Sequence, residues 1–148
     1  MQLNDIMTQY VEVISPELSI QEAAKQMRAL DVGVLPVCNG DRLVGMLTDR
    51  DLTIRAVAEG RDPKITRVEE VMTPEIAYCF EDQDIEEAER VMEKHQIRRL
   101  PVLNREKRLV GIVSLGDFAT KDDETRAGET LERVSEPSRG KWSEPRIY

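Results

Sequence analysis

The chain has 148 residues, of which 40% are hydrophobic, enough to bury one modest core or two small ones. Its formal net charge of −8 repels a phosphate backbone, which argues against nucleic-acid binding. The apolar runs are far shorter than the roughly 20 residues needed to cross a bilayer, and the first residues lack the pattern of a secretory signal. We therefore expect a cytoplasmic protein that binds neither nucleic acid nor membrane.

The chain has few residues that could support metal or redox chemistry. These are two cysteines, Cys38 and Cys79, and one histidine, His95. Without an export signal, reduced thiols are expected in preference to a disulfide. A zinc site would need ligands shared between two chains, and no Ser–His or Cys–His pair suggests a nucleophile. The sequence therefore predicts no enzyme, no catalytic residue, no metal site and no cofactor. The alternatives left open are a redox role for an exposed Cys38 thiol and an enzyme that uses Cys38 or Cys79.

The chain contains an internal repeat. Residues recur 65 positions apart up to Asn104 and 66 positions apart from Arg108 onward, as in the pairs Thr8 and Thr73, Ala23 and Ala88, Pro36 and Pro101, and Asp51 and Asp117. A one-residue insertion is tolerated at a hairpin tip but not inside a strand, where it would turn the side chains to the wrong face. The repeat therefore predicts two copies of one unit, with a turn at the insertion.

Each copy predicts a helix, two strands joined by a turn, and a second helix. In the first copy, the first helix begins at a Ser19–Glu22 capping box and the second runs from Thr48 to Gly60. The strands cover Val32–Val37 and Leu43–Leu47 and are joined by an Asn39-Gly40 turn. In the second copy they are a helix from an Asp84–Glu87 capping box, strands over Ile97–Leu103 and Leu109–Val113, and a helix after Ser114. His95 takes the place of Leu30 on the apolar stripe of its helix, so we expect it to face the core.

Three regions are predicted: repeat 1 over 1–60, repeat 2 over 61–120 and a polar C-terminal extension over 121–148. One copy cannot cover its own sheet with two short helices. We therefore expect an α/β fold of the α+β kind, in which two βαββα units related by a pseudo-twofold axis pack sheet to sheet. The extension is expected to be a loosely ordered end, with anchoring of Trp142 and Tyr148 on a partner subunit as the alternative.

Two blocks of sequence resemble a known family. A Leu-Pro-Val strand in Val34–Val37 or Arg99–Val102 is followed by a Gly-h-h-(Ser/Thr)-x-x-Asp segment, Gly45–Asp51 or Gly111–Asp117, where h is apolar. Over about residues 4 to 120 the chain resembles paired cystathionine-beta-synthase (CBS) domains. It is most similar to stand-alone bacterial CBS pairs, including hypoxia- and stress-linked ones. The resemblance implies a homodimer and an adenosine-containing ligand, such as AMP, ADP, ATP or S-adenosylmethionine, in clefts between the repeats.

The resemblance also implies which residues bind that ligand. Met46, Thr48 and Asp51 would face Ala77, Tyr78, Ile97 and Arg98 in one cleft, and Ile112, Ser114 and Asp117 would face Val11, Val13, Val32 and Gly33 in the other. Arg98 and Arg99 lie where relatives place side chains that reach phosphates, which suits a guanidinium. Because repeat 1 has Gly33-Val34 there, we expect unequal clefts, the Gly33 side taking an uncharged or less phosphorylated ligand, or none.

The chemistry of this motif follows from its residues. A carboxylate in the first turn of a helix can accept both hydroxyls of a ribose, while the earlier hydroxyl and free backbone N–H groups face a phosphate. The preceding glycine would let the ligand approach the strand. The same carboxylates and hydroxyls would also serve as helix caps in a protein that binds nothing.

Two hypotheses of function follow. The first is a regulatory or sensor module in which an adenine nucleotide or S-adenosylmethionine shifts a conformational or assembly equilibrium. The second is a ligand-free structural or interaction protein that acts through its dimer surface. The sequence predicts no downstream protein partner.

Overall fold

The structure, a computed structural model, describes residues 1–74, 76–121 and 130–134. It contains two compact units: Glu12–Ile76, the first-repeat unit, and Met1–Val11 with Ala77–Tyr148, the second-repeat unit. Helices and strands are mixed in both, so the α+β class predicted from the sequence is confirmed. The first eleven residues thus pack with the second repeat, and the repeat boundaries at residues 60 and 120 stay a prediction. No described helix is long and apolar enough to span a membrane.

The first-repeat unit is built on an antiparallel hairpin. Its elements are α1 (Ile20–Leu30), β1 (Val34–Asn39), β2 (Arg42–Thr48), α2 (Asp49–Asp51), a π-helix (Leu52–Val57) that continues α2, and α3 (Val68–Val71). Ile14 forms a parallel bridge with Val37 of β1. Gly60, with φ of +69°, follows the end of the π-helix and adopts the left-handed conformation expected of a glycine that ends a helix.

The second-repeat unit repeats this plan with one more strand. A 3-10 helix (Leu3–Asp5) is followed by β3 (Cys79–Phe80), α4 (Ile85–His95), β4 (Arg99–Leu103), β5 (Leu109–Ser114) and α5 (Leu115–Lys121). The sheet order is β3-β4-β5, with β3 parallel to β4 and β5 antiparallel to it. The two-residue strand β3 takes the place of the strand that opens a predicted βαββα unit, but no residues were assigned to that strand from the sequence, because a segment this short shows no periodicity.

The helices α1 and α4 bury the stripes that the sequence predicts. Ile20, Ala23 and Met27 of α1 are buried, as are Ile85, Ala88 and Met92 of α4. The Ser19 hydroxyl accepts a hydrogen bond from the Glu22 backbone N–H at 3.2 Å. Asp84 is the N-cap residue of α4, but no cap hydrogen bond of its side chain is present in the described part of the chain.

The core-facing position predicted for His95 is wrong. His95 and its counterpart Leu30 are both exposed. Each is the last residue of its helix, and the next residue, Asp31 or Gln96, is left-handed, with φ of 55° or 52°. The buried stripe therefore ends one turn earlier, at Met27 and Met92.

The insertion in the second copy lies at a hairpin tip, as predicted. Strands β1 and β2 pair from Val34 with Thr48 to Asn39 with Arg42, so only residues 40–41 form the tip. Strands β4 and β5 pair from Arg99 with Ser114 to Leu103 with Leu109, which leaves residues 104–108 for the tip. The pairing register shifts between residues 37 and 38 in one hairpin and between 102 and 103 in the other, 65 positions apart.

The C-terminal extension contributes to the core of the second-repeat unit. Residues 130–134 are helical, and Val134 is fully buried in the apolar cluster that also contains Leu3 and Phe118. Arg133 Nη1 pairs with Glu93 Oε1 of α4 at 2.8 Å. The expectation of a loosely ordered end therefore fails for this segment, because its contact with the core joins residues that are distant in the chain. Trp142 and Tyr148 lie outside the described residues.

Candidate functional site

Thr48 and Asp51 form a reciprocal capping box where β2 meets α2. The backbone N–H of Asp51 donates to Thr48 Oγ1 at 3.0 Å, and the backbone N–H of Thr48 donates to Asp51 Oδ2 at 3.0 Å. Asp51 is only 7% exposed. This burial and pairing hold the carboxylate in one orientation. The Asp51 N–H is therefore already bonded within the chain, so it is not one of the free N–H groups predicted at this helix start.

Two further residues, neither of them among the predicted site residues, contact this carboxylate. The Thr73 hydroxyl donates to Asp51 Oδ1 and Oδ2 at 3.3 and 3.4 Å. Arg55 Nε lies 3.8 Å from Asp51 Oδ1, and Arg55 Nη1 donates to the carbonyl oxygen of Met72 at 3.0 Å. Thr73 had a sequence signal, its recurrence with Thr8 in the repeat. Arg55 had the spacing of four from Asp51 that joins side chains on one helix face.

The second-repeat unit contains the equivalent junction between β5 and α5. The backbone N–H of Ser114 donates to Asp117 Oδ2 at 2.8 Å, and the Ser114 hydroxyl donates to the same oxygen at 3.3 Å. Both side chains are half-buried. Each repeat therefore brings its predicted hydroxyl and carboxylate together.

The other predicted ligand residues are divided between the two units. The first-repeat unit also contains Val13, Val32, Gly33 and Met46, and the second-repeat unit also contains Val11, Ala77, Tyr78, Ile97, Arg98, Arg99 and Ile112. Met46 and Ile97 are fully buried, whereas Arg98 and Arg99 are exposed. The assignment of these residues to two clefts stays a prediction.

The glycine at the start of each motif has a different role from the predicted one. A Cβ added to Gly45 would lie 2.7 Å from Met72 Sδ and 2.9 Å from the carbonyl oxygen of Thr73. At Gly111 the corresponding neighbours are Met7 Sδ at 2.7 Å and the Thr8 carbonyl oxygen at 2.8 Å. The space over each glycine is therefore filled by the chain itself, so neither glycine opens a ligand approach at its Cβ position.

The two repeats differ in charge beside these junctions. In the first repeat the Asp49 N–H donates to the Gly33 carbonyl oxygen at 2.9 Å, and a Cβ on Gly33 would lie 3.0 Å from Asp49 Oδ2. In the second repeat the same backbone bond joins Leu115 to Arg98 at 3.2 Å. The residue beside Gly33 is thus the acidic Asp49, whereas the equivalent residue beside Arg98 is the neutral Leu115.

The cysteine thiols are buried and free. Burial, with a smaller contribution from the charge of Asp41, raises the pKa of Cys38 to about 11. Burial, with a smaller contribution from Glu87, raises the pKa of Cys79 to about 11. The alternative of an exposed Cys38 thiol is therefore wrong, because Cys38 is only 3% exposed in β1. In the part of the chain that the structure describes, no three His, Cys, Asp or Glu side chains come together as a metal site.

Two hairpins, each followed by a hydroxyl–carboxylate junction, define a protein made of two copies of one unit. The chain belongs to the CBS domain family, whose sequence profile matches residues 3–57 and 68–124. CBS domain pairs are generally regulatory and commonly bind adenosine ligands.

Comparison with individual proteins agrees with this assignment. The chain is 43% identical to the CBS domain-containing protein YhcV of Bacillus subtilis (strain 168), over 90% of this chain and 94% of that protein. It is 44% identical to Hypoxic response protein 1 of Mycobacterium tuberculosis (strain H37Rv), over 78% of this chain and 80% of that protein.

Two solved structures are informative about fold and ligand. The crystal structure of Hypoxic Response Protein I with two coordinated zinc ions matches with a TM-score of 0.75 and 41% identity, over 81% of this chain and 98% of that one. The crystal structure of CBSX2 in complex with AMP matches with a TM-score of 0.70 and 25% identity, over 84% of this chain and 98% of that one. Relatives of this chain therefore include stand-alone CBS proteins and a nucleotide complex.

Proposed function

We propose that this protein is a regulatory sensor that binds an adenosine-containing ligand, such as AMP, ADP, ATP or S-adenosylmethionine, through its two hydroxyl–carboxylate junctions. Asp51 and Asp117 accept the ribose hydroxyls, and Thr48 and Ser114 contact the phosphate or its substitute. Binding shifts a conformational or assembly equilibrium, and the chain itself catalyses no reaction.

The observation that carries this proposal is the fixed orientation of the Asp51 carboxylate. The Thr48 N–H and the Thr73 hydroxyl donate hydrogen bonds to it, and the Arg55 guanidinium forms an ion pair with it at 3.8 Å. A carboxylate has about four acceptor positions, so the group retains capacity for a hydroxyl donor. A carboxylate held in one orientation loses little freedom on binding. The AMP complex of CBSX2, a protein of the same fold, supports the choice of ligand class.

The two junctions are proposed to differ in ligand preference. Arg98 and Arg99 provide guanidinium groups that suit a phosphate, whereas the Asp49 carboxylate beside Gly33 repels one. We therefore expect the phosphates of a nucleotide to contact Arg98 or Arg99. The Gly33 side takes an uncharged or less phosphorylated group.

Zinc, which the related Hypoxic Response Protein I coordinates, is not part of the proposal. Thiolates are the form of cysteine that binds zinc, and the raised pKa values of Cys38 and Cys79 disfavour that form. His95 is exposed on the last turn of α4. The described side chains therefore do not fit a zinc centre within one chain.

A second candidate function, assembly through an apolar surface, is supported by Val57 and Ile65. Val57, at the end of the π-helix, is 74% exposed, and Ile65 is 76% exposed. Neighbouring Ile54 is also exposed. Ile54 and Val57 lie three residues apart on one helical segment, and Ile65 belongs to the same unit. Large apolar side chains exposed in this way favour a protein contact. This surface is proposed to bind a second copy of the chain, with or without a ligand.

A thermal-shift screen of the full chain with AMP, ADP, ATP, S-adenosylmethionine and NAD tests the ligand proposal. A ligand at a hundred times its Kd should stabilise the fold by about 2.7 kcal/mol. Asp51→Asn and Asp117→Asn remove the charge that accepts the ribose while retaining an acceptor oxygen for the cap. We expect at least one of them to lose the shift.

The matched control is Asp31→Asn, because Asp31 is exposed and left-handed, a conformation that asparagine also adopts. It should retain the full shift. If none of the five compounds changes the Tm, the proposal of an adenosine ligand is wrong. If both junction variants keep the wild-type affinity, the ligand binds elsewhere.

A further inference from the structure

An aromatic pair stands beside the long hairpin of the second-repeat unit. Tyr78 and Phe80 flank Cys79 of β3, so their side chains emerge on the same side of the strand. Their rings lie 5.6 Å apart between centroids, with an angle of 86° between their planes. This edge-to-face arrangement is a favourable one for two aromatic rings. Tyr78 is 37% exposed and Phe80 is half-buried, so Tyr78 is the ring open to a ligand.

Arg105 covers Phe80 from the hairpin tip. Its Cζ atom lies 4.2 Å from the centroid of the Phe80 ring, within the range of a cation–π contact. Nε donates to the two Asp82 carboxylate oxygens at 3.1 and 3.0 Å, and Nη2 donates to Oδ1 at 2.8 Å. These hydrogen bonds fix the plane of the guanidinium. They also raise the pKa of Arg105 and lower that of Asp82, so the pair stays charged at neutral pH.

The first repeat has no such arrangement at the equivalent positions. Counting back 65 residues, Val13 replaces Tyr78 and Ser15 replaces Phe80. Arg105 lies at the one-residue insertion, where the first hairpin has the shorter Asn39-Gly40 turn. The Ser15 hydroxyl donates to Glu17, the counterpart of Asp82. The aromatic pair and its guanidinium therefore occur only at the second-repeat positions, where the hairpin is one residue longer.

We propose that Arg105 is a positioning residue for ligand binding, which acts through Phe80 to hold the Tyr78 ring in one orientation against the planar base of the ligand. The inference rests on the proposed function, because it takes Tyr78 as a ligand residue. A ring that is already fixed loses less freedom when a base packs on it. The longer hairpin of the second repeat thus strengthens binding of the base at Tyr78. The first repeat, which has Val13 at the equivalent position, lacks this support.

The test uses the full chain, AMP as the probe and the variant Arg105→Met. Methionine keeps an apolar stem over Phe80 but removes the charge and the bonds to Asp82. We expect AMP to bind three- to tenfold more weakly by calorimetry, and the Tyr78 ring resonances to shift in the NMR spectrum of the ligand-free protein. Glu106→Ala, at the same hairpin tip, is the matched control and should change neither. Tyr78→Ala should weaken AMP binding when it is introduced into the wild type. It should cause little further loss of affinity when it is introduced into Arg105→Met.

The outcomes separate this inference from the proposed function. If the wild type binds AMP and Arg105→Met binds it equally well, the positioning role is wrong while the proposed function stands. Unchanged Tyr78 resonances in Arg105→Met would also overturn the positioning role, whatever the affinity. If the wild type binds no AMP, the proposal of AMP binding and this inference both fail.

Discussion

Thr73 Oγ1 lies 3.3 Å from Oδ1 of Asp51, although the two residues are 22 positions apart in the chain. Thr73 follows α3, and its backbone also bonds to Met46 of β2 in both directions, at 3.0 and 2.8 Å. The segment after α3 is thereby fixed to the strand that leads into the Thr48–Asp51 junction. The segment after α3 is thus part of the structure that supports the candidate site of the first-repeat unit.

Replacing Thr73 with valine should destabilise the fold through this hydrogen bond. Valine has nearly the same shape but cannot donate to the buried Asp51 carboxylate, and loss of a hydrogen bond to a charged group costs about 1.5–3 kcal/mol. Urea unfolding of the single variants and of Thr73→Val with Asp51→Asn gives the coupling between the two side chains. We expect a smaller effect of Thr73→Val in the Asp51→Asn background. Equal effects in both backgrounds would show that the hydroxyl acts independently of Asp51.

Replacing Gly45 with alanine should destabilise the first-repeat unit. The new Cβ would meet Met72 Sδ at 2.7 Å and the Thr73 carbonyl oxygen at 2.9 Å, and the carbonyl is fixed by its own hydrogen bond. Overpacking of this kind costs about 1–3 kcal/mol. The control is Gly116→Ala in α5, where the nearest atom is Ser114 Oγ at 3.6 Å. Because alanine favours a helix over glycine, chemical denaturation should show this control to be as stable as the wild type or more so.

Both thiols should resist alkylation in the folded protein. The pKa of each is raised to about 11 by burial, so at pH 8 the reactive thiolate is scarce as well as enclosed. Mass spectrometry after iodoacetamide treatment should find Cys38 and Cys79 unmodified in the native state and modified in urea. Rapid labelling of either thiol without denaturant would contradict the buried positions.

The same thiols predict how stability depends on pH in the alkaline range. Their folded-state pKa values lie above the ordinary value of 9.0, so the folded state binds more protons than the unfolded state. Their contribution to the free energy of unfolding is complete below about pH 9 and is lost as the pH rises towards 11. Urea titrations across this range should therefore show that the wild type loses stability relative to its value at pH 7. The loss should be smaller in the double variant Cys38→Ala with Cys79→Ala, measured against its own value at pH 7.

Charges on the exposed apolar surface should weaken self-association. Val57→Glu with Ile65→Glu places two carboxylates on the surface proposed to bind a second copy, where burial of an unpaired charge is costly. Light scattering after size exclusion should give a dimer mass for the wild type and a monomer mass for this variant. Leu131→Glu, also at an exposed apolar side chain, should remain a dimer. A monomeric wild type, or a dimeric double variant, would contradict this surface.

The sequence was most informative where structure depends on local spacing. The capping oxygens and apolar stripes predict helix starts at Ile20 and Ile85, and both are confirmed. The one-residue insertion predicts the second hairpin tip, and this is also confirmed. Helix ends were less accurate: His95 follows the apolar spacing of its helix, but the left-handed Gln96 ends the helix and leaves His95 exposed.

The candidate site was predicted in part for the same reason. Thr48 with Asp51, and Ser114 with Asp117, are three residues apart, so the sequence already places each pair at one helix start. Thr73 and Arg55 complete the surroundings of Asp51. Thr73 was missed because its contact joins residues distant in the chain, and the position of Val134 in the core was missed for the same reason.

The sequence by itself determined the repeat, the helices and hairpins of each copy, and the hydroxyl–carboxylate pairs, because all of these depend on spacings of a few residues or on one constant offset. Only the tertiary structure decided that Thr73 reaches Asp51, that the first eleven residues join the second repeat, and that the chain itself fills the space over Gly45 and Gly111. Such contacts are selected by packing between distant segments, where many partners of similar size would satisfy the same local pattern.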